Sequence, residues 1–356
     1  MDHPDLVESS SRGLQHAEEA LERYFVLAKR RAEQWGDGYL KLWNVIEQNT
    51  SGGKRFRPRM VMTAYVSLGG DDLPAAGQLA AAYEMLHTAL IVHDDVIDRD
   101  FVRRGIPNVS GSYRDQATTA GFATPAAEHR GMSVAVIAGD LALSGAYGLV
   151  DRTGADDVTR LRLRELLDGA VSASAAGELA DVDFSLRPEA PTVDEVVDME
   201  RLKTAVYSFE APLQSGAVLA GADDATVTAL GEFGRLIGIA YQIVDDVLGV
   251  FGDERSTGKS TIGDLREGKR TVLVSYASTR EEWMRVRELF GSPALEEDGA
   301  EKIRAVLEEC GARAYTEALA RDYANRAWEA LTSPSIPVAT RDELRPIVAN
   351  VLERAR

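Results

Sequence analysis

A single cysteine, Cys310, in a chain of 356 residues excludes an intramolecular disulfide and fits a reducing cytoplasm, the expected location. Long apolar runs are missing too. No stretch of 18 or more apolar residues occurs, so no membrane span is expected. Met1 to Arg12 is acidic and polar and lacks the apolar centre of a secretory signal; residues 1–15 are expected to be flexible. Positive charge is in short supply, 40 Lys and Arg against 57 Asp and Glu, a net charge of −17. Such a surface repels nucleic acid and anionic lipid, and neither is expected as a partner. Any phosphate bound here must be met by locally gathered Lys and Arg or by a divalent cation. Alternating strand patterns are scarce; Ser133 to Ala138 is the one tempting case, and it is short.

What is present is helical periodicity. Leu230, Phe233, Ile237, Tyr241, Val244 and Leu248 recur every three or four residues, as do Leu319, Tyr323 and Ala327. Ala75 to Val92, rich in Ala and Leu and interrupted by Glu84 and His87, reads as a largely buried helix. Breaks fall at Thr50–Gly53, Gly69–Pro74, Gly105–Pro125, Arg152–Asp157, Arg187–Thr192, Gly221–Asp224, Gly252–Gly263 and Thr332–Val338. Gly105 to Gly131 is the longest stretch with little helical pattern. None of these is a long Pro- or Ser-rich linker, so residues 1–356 are read as one all-α domain, a bundle of long helices.

Two acidic motifs end apolar helical segments. His93-Asp94-Asp95-Val96-Ile97-Asp98 follows Ala89-Leu90-Ile91-Val92. At about 100° per residue, Asp94 and Asp98 lie one turn apart on one face, with Asp95 beside them. Asp245-Asp246 follows Ile239 to Val244. Carboxylates gathered in this way repel one another unless cations sit between them. Magnesium suits them, because it takes a few carboxylates and completes its shell with waters and substrate phosphates. One such motif is as often a solvated helix end; two in apolar settings favour a metal. Basic residues cluster beside glycine in Gly52-Gly53-Lys54-Arg55-Phe56-Arg57, Arg103-Arg104-Gly105, Gly258-Lys259 and Gly268-Lys269-Arg270. Taken alone, each reads as an exposed turn. The order acidic then basic, occurring twice, points to polyphosphate.

From roughly Ser51 to Thr271 the set resembles the trans-isoprenyl diphosphate synthases, the polyprenyl synthetase family, and its short-chain members in particular. The matching elements are Gly53-Lys54-x-x-Arg57, His87, Asp94-Asp95-x-x-Asp98 with Arg103-Arg104-Gly105-x-Pro107, and Gly139-Asp140-Leu141. Further along come Lys203-Thr204 with Tyr207, Gln242-x-x-Asp245-Asp246, and the trailing Lys259 and Lys269. The resemblance implies a helical bundle around a deep central cavity, usually a homodimer. It implies that Asp94, Asp98 and Asp245 hold three magnesium ions on an allylic diphosphate, which Arg103, Lys203, Lys259 and Lys269 help to neutralise. Lys54, Arg57, His87 and Arg104 would bind isopentenyl diphosphate. Asp95 and Asp246 complete the acidic motifs, and the side chains of Thr204 and Gln242 would offer oxygen dipoles to the allylic cation. Geranylgeranyl diphosphate is the expected product. Small Ala89 and Leu90 below Asp94 leave room for a tail, and Tyr83 would close it off.

There are departures. The second motif ends in Gly249 where the family carries a third aspartate, a carboxylate expected to be dispensable; Asp253 lies too far on to be assumed its replacement. Glu178 stands after Gly177 where the family often has Gln, without an evident role. The basic tail of some members shrinks to Glu353-Arg354-Ala355-Arg356. His93 reads as a structural hydrogen-bonding residue, since magnesium prefers oxygen. Trp35, Tyr39 and Trp43 read as packing residues and Cys310 as a small core residue. Without the resemblance, Glu200 to Lys203 would be a surface ion-pair helix. A class I terpene cyclase and a catalytically silent partner subunit are the competing functions. The first has no use for a second anion site, and the second typically loses aspartates that are intact here.

Overall fold

The stripe through Leu230, Phe233, Ile237 and Val244 becomes the buried face of a helix. The computed structural model describes residues 4–103, 105–252 and 261–354, and among these regular structure is almost wholly helical. In chain order the helices are α1 (Pro4–Ala32), α2 (Asp37–Thr50), α3 (Phe56–Ser67), α4 (Leu73–Ile97), α5 (Val109–Thr119) and α6 (Thr124–Val150). There follow α7 (Asp157–Leu186), α8 (Val193–Glu200), a π-helical stretch over Arg201–Glu210, α9 (Ala211–Leu219) and α10 (Asp224–Phe251). The last are α11 (Gly263–Glu267), α12 (Val272–Ser278), α13 (Glu297–Glu309), α14 (Ala312–Leu331) and α15 (Val338–Arg354). A two-residue hairpin, β1 (Val102–Arg103) and β2 (Ile106–Pro107), is the one strand pair among the described residues. α1 begins at Pro4.

The chain gathers into two compact units, Met1–Val171 with Ala211–Thr228, and Ser172–Glu210 with Ala229–Arg356. In the first unit α4 is central, touching α1, α2, α3, α5, α6 and α9. Its start is fixed by the Asp72 carboxylate, which accepts from the Ala75 N–H at 3.0 Å. Such contact on nearly every side requires a helix apolar all round, as the Ala- and Leu-rich sequence suggested. α6 packs on α4 and α5 through small residues, among them Ala127, Gly131, Ala135, Ala138, Ala142 and Ala146, all buried. By length and composition α6 could cross a membrane; its buried small-residue face is that of a core helix. The strand-like stretch Ser133 to Ala138 lies inside it.

The stretch from Gly105 to Gly131 is not irregular. It holds α5 and the start of α6. α5 was hidden because its buried positions include Ser110 and Gly111, leaving Val109, Tyr113 and Ala117 as a sparse stripe. Its cap is local: Asn108 accepts from the Gly111 N–H at 2.8 Å and donates to the Asp100 carbonyl at 2.9 Å.

In the second unit Thr192 and Glu195 form a capping box that starts α8. A core of Val247, Val250, Leu265, Leu273, Trp283, Ile303 and Leu307 ties the end of α10 to α11–α13. The buried stripe of α14 is Ala312, Thr316, Ala320, Ala324, Ala327 and Leu331, so Leu319 and Tyr323 flank it rather than form it. Trp43 is buried against Tyr24, Phe25 and Tyr39, whereas Trp35 is exposed. Cys310 is half-buried beside the second unit's core.

Candidate active site

The first acidic motif closes α4. Helical hydrogen bonding continues through Asp98, whose N–H donates to the Asp94 carbonyl at 2.9 Å, so these two side chains keep their one-turn spacing. The chain then turns in a Schellman motif. Arg99 takes the left-handed conformation, φ 58°, its N–H bonds to the Val96 carbonyl, and the Asp100 N–H bonds to the Asp95 carbonyl at 2.8 Å. This turn feeds the hairpin, in which Arg103 pairs with Ile106. Arg103 reaches back to the motif, donating from Nε to Asp95 Oδ1 at 2.8 Å and from Nη2 to Asp94 Oδ2 at 3.1 Å. Asp95 is 3% exposed, and this burial pushes its carboxyl up to about 6 from the ordinary 3.8 even against the pull of Arg103. Asp95 thus anchors the hairpin, while Asp94 is half-buried and Asp98 exposed. His93 lies on Gly139 of α6, where a Cβ would come within 2.2 Å of its Nε2, and it neighbours the Asp140 carboxylate at 3.4 Å. That is the structural role expected of it.

Before α3, Lys54 is exposed and Arg57, in the first turn, is half-buried, as is His87 on α4. Between Lys54 and Arg57, Arg55 turns inward in the left-handed region, φ 48°. It donates to the Thr50 carbonyl at 2.7 Å, to Glu84 Oε1 at 2.9 Å and to both oxygens of Glu18. Glu84 lies one turn before His87 and is 6% exposed; its Oε2 has no donor, so Arg55 is the cation that makes its burial tolerable. Sequence reading placed Arg55 in the cluster without giving it a task. The signal was Glu84, an acid inside an otherwise apolar helix. Arg104 lies outside the described residues.

In the second unit Lys203 and Thr204 sit on the π-helical stretch, a form common at functional sites. This stretch abuts α7 at Gly177, where a Cβ would stand 2.3 Å from the Lys203 nitrogen. Lys203 Nζ is 3.0 Å from Glu178 and 2.7 Å from Asp181, which gives Glu178 the role it lacked. Glu200 is 3% exposed, no surface residue, and neither of its oxygens accepts from an N–H or O–H of an ordinary donor. Its neighbour is Asp246, and burial, together with that carboxylate's charge, holds the Glu200 carboxyl well above the usual range. Gln242 Nε2 donates to Asp246 Oδ1 at 2.7 Å, leaving its amide oxygen as the end that can face a substrate. Lys269 Nζ lies 3.2 Å from Asp264 and 3.1 Å from Glu267. Burial works against its charge, and the two carboxylates more than offset this, holding the ammonium above its ordinary range. Lys259, Gly258 and Asp253 lie outside the described residues.

Among the described residues no three His, Cys, Asp or Glu side chains close on one point as a protein-only metal cage would. The carboxylates are offered in ones and twos by all-oxygen donors. That fits magnesium, which takes one or two carboxylates and draws the rest of its shell from water and phosphate. The basic network makes its own prediction. Arg55→Met should lower stability by about 3–5 kcal/mol, because Glu84 is left buried and unpaired, while Arg55→Met with Glu84→Leu should regain more than half of that loss. Urea unfolding of the two variants checks this; equal loss in both would show that Glu84 does not depend on Arg55.

A model of the polyprenyl synthetase family matches residues 41–309. Geranylfarnesyl diphosphate synthase of Aeropyrum pernix is 33% identical over 311 residues, 86% of this chain and 92% of its own length. Geranylgeranyl diphosphate synthase of Saccharolobus solfataricus is 32% identical over 298 residues, 82% of each chain. Among solved structures, geranylgeranyl pyrophosphate synthase of Corynebacterium glutamicum, complexed with isoprenyl diphosphate and magnesium, is 28% identical with a TM-score of 0.89. That likeness covers 96% of this chain and 99% of the other, and it shows the all-α isoprenoid synthase fold. With the family model and relatives of this identity spanning most of its length, the chain belongs to the polyprenyl synthetase family.

Proposed function

We infer that this protein joins isopentenyl diphosphate to an allylic diphosphate, head to tail, as a magnesium-dependent prenyl transferase with a single catalytic domain. The observation that carries the reading is that the first acidic motif is clasped by a cation and that the second unit holds two ammoniums, each among carboxylates. Arg103 clasps Asp94 and Asp95, and in the other unit Lys203 and Lys269 sit among Glu178, Asp181, Asp264 and Glu267. Magnesium, up to three ions, would neutralise the charge that develops on the departing diphosphate. Asp94, Asp98 and Asp245 are the carboxylates to hold it. Arg103, Lys203 and Lys269 are the cations poised to exchange a carboxylate for a phosphate oxygen. The Thr204 hydroxyl and the Gln242 amide oxygen supply the dipoles that an allylic cation needs. Lys54, Arg57 and His87 form the separate anion site for isopentenyl diphosphate, which a terpene cyclase would not require.

The relatives' names include farnesyl, geranylgeranyl and geranylfarnesyl products, so membership of the family does not fix chain length. Geranylgeranyl diphosphate remains the product proposed here, with Tyr83 as the floor. At about 100° per residue, Tyr83 falls about 20° from Asp94 around α4 and about 16 Å below it. Its ring is wholly buried and its hydroxyl is held by Ser215 at 2.7 Å, so it does not swing aside. Leu90, about 40° from Asp94 and half-buried, is the better first-turn residue. Ala89 is about 140° away and 1% exposed, so a larger side chain there would overpack the unit's interior.

A homodimer is proposed from α6. Beside its buried small residues it exposes Val136 and Ile137, 43% and 50% accessible, on the most span-like helix of the chain. Two neighbouring residues are not a patch, so the proposal also draws on the homodimer usual in the family. Sedimentation equilibrium should give twice the chain mass, and Ile137→Glu should give the single mass; a wild-type monomer would overturn the proposal.

Incubation with both diphosphates should yield product with magnesium and none with chelator. Asp94→Ala and Asp245→Ala should each cost about 100-fold or more in kcat, as loss of a transition-state electrostatic contact does. Near-normal kcat in either at saturating magnesium would remove that residue from the metal site.

Tyr83→Ala should lengthen the product beyond twenty carbons, and Leu90→Phe should shorten it to about fifteen, by opening or filling the path. Chromatography of the dephosphorylated products reads this. An unchanged product from both variants would show that this face of α4 does not set chain length.

A further inference from the structure

The second acidic motif, Asp245-Asp246-Val247-Leu248-Gly249, has no carboxylate at its fifth position. Another carboxylate stands close to that position. A Cβ built on Gly249 would stand 2.2 Å from Oδ2 of Asp264, and Gly249 lies on buried helical backbone where no positive φ calls for glycine. The space that a third aspartate's side chain would enter is already taken by a carboxylate arriving from another helix.

That carboxylate is steered rather than stray. Asp264 stands in the first turn of α11, which is pinned by buried Leu265 and by Arg266 Nε donating to the Leu295 carbonyl at 2.8 Å. Lys269 holds it twice: the ammonium lies 3.2 Å from Oδ1, and the Lys269 N–H donates to the Asp264 backbone carbonyl at 3.0 Å. One oxygen is thereby committed to Lys269 while the other points at Gly249.

We propose that Asp264 supplies the carboxylate that the second acidic motif lacks, acting with Asp245 in holding magnesium, and that residue 249 is glycine to admit it. This rests on the reading of Asp245 as a magnesium ligand. It replaces the expectation that the outermost carboxylate is dispensable: the position is filled, from a different place in the chain.

The test is calorimetric titration of the full chain with magnesium in the presence of inorganic pyrophosphate, so that binding rather than turnover is read. Asp264→Ala should raise the apparent magnesium dissociation constant by about 10–100-fold, the usual cost of losing a supporting ligand group. Gly249→Ala, which pushes the Asp264 carboxylate aside while leaving it in the chain, should act in the same direction. The combination Gly249→Asp with Asp264→Ala returns a carboxylate to the same space from α10 and should recover most of the affinity lost by Asp264→Ala alone. Asp264→Asn carries the comparison if the alanine variant does not fold. Wild-type affinity in both Asp264 variants, or a combination no better than Asp264→Ala, would overturn the proposal. A wild-type chain that takes up no magnesium would instead overturn the metal reading of Asp245 beneath it.

Discussion

Carboxylates held side by side in apolar surroundings repel each other, and much of what surrounds the two acidic motifs answers that repulsion. Asp95 is buried deeply enough to be pushed up to about 6 and is held by a guanidinium. Burial beside Asp246 holds the Glu200 carboxyl well above the usual range, while Glu178 and Asp181 converge on one ammonium and Asp264 and Glu267 on another. Among the described residues of the second unit, four acids, Glu178, Asp181, Asp264 and Glu267, share the two ammoniums of Lys203 and Lys269. A surplus of negative charge in a medium that screens poorly is what a divalent cation can relieve.

The cations have the complementary property of staying within reach of a ligand. Arg103 and Lys203 are each bound to two carboxylates, yet both stay about a quarter to a third accessible. A phosphate oxygen can replace a carboxylate on such a group with little loss, since the charge-assisted bond is exchanged for another of its kind. Arg55 is the contrast. Its side chain is 13% accessible and one of its bonds goes to a backbone carbonyl, so it builds the loop instead of serving a ligand.

Glycine marks places where residues near the acidic motifs meet a neighbouring helix. His93 lies over Gly139, the Lys203 backbone passes Gly177, and the Asp264 carboxylate fills the space at Gly249. In each case the two residues are far apart in the chain and the contact closes only because one has no Cβ. This is close packing put to use: a single methyl in such a crossing has nowhere to go without shifting a charged or catalytic group.

The all-α class, the long helices and both acidic motifs were legible in the sequence, because a helix's buried face and an i, i+4 pair of carboxylates are set by residues a few places apart. α5 escaped because its buried face is made of Ser, Gly and a few apolar residues, and the true stripe of α14 because it is mostly alanine. Local spacing also could not show that Asp95 looks inward, that Arg55 belongs to Glu84 and Glu18, or that Glu178 belongs to Lys203. Those pairings join residues up to 37 positions apart. Gly249 makes the point most sharply. The sequence by itself determined that the motif lacks a carboxylate there; only the tertiary structure decided that Asp264 stands in its place, because which side chain fills a space depends on how helices pack, and periodicity along one helix carries no information about its neighbour.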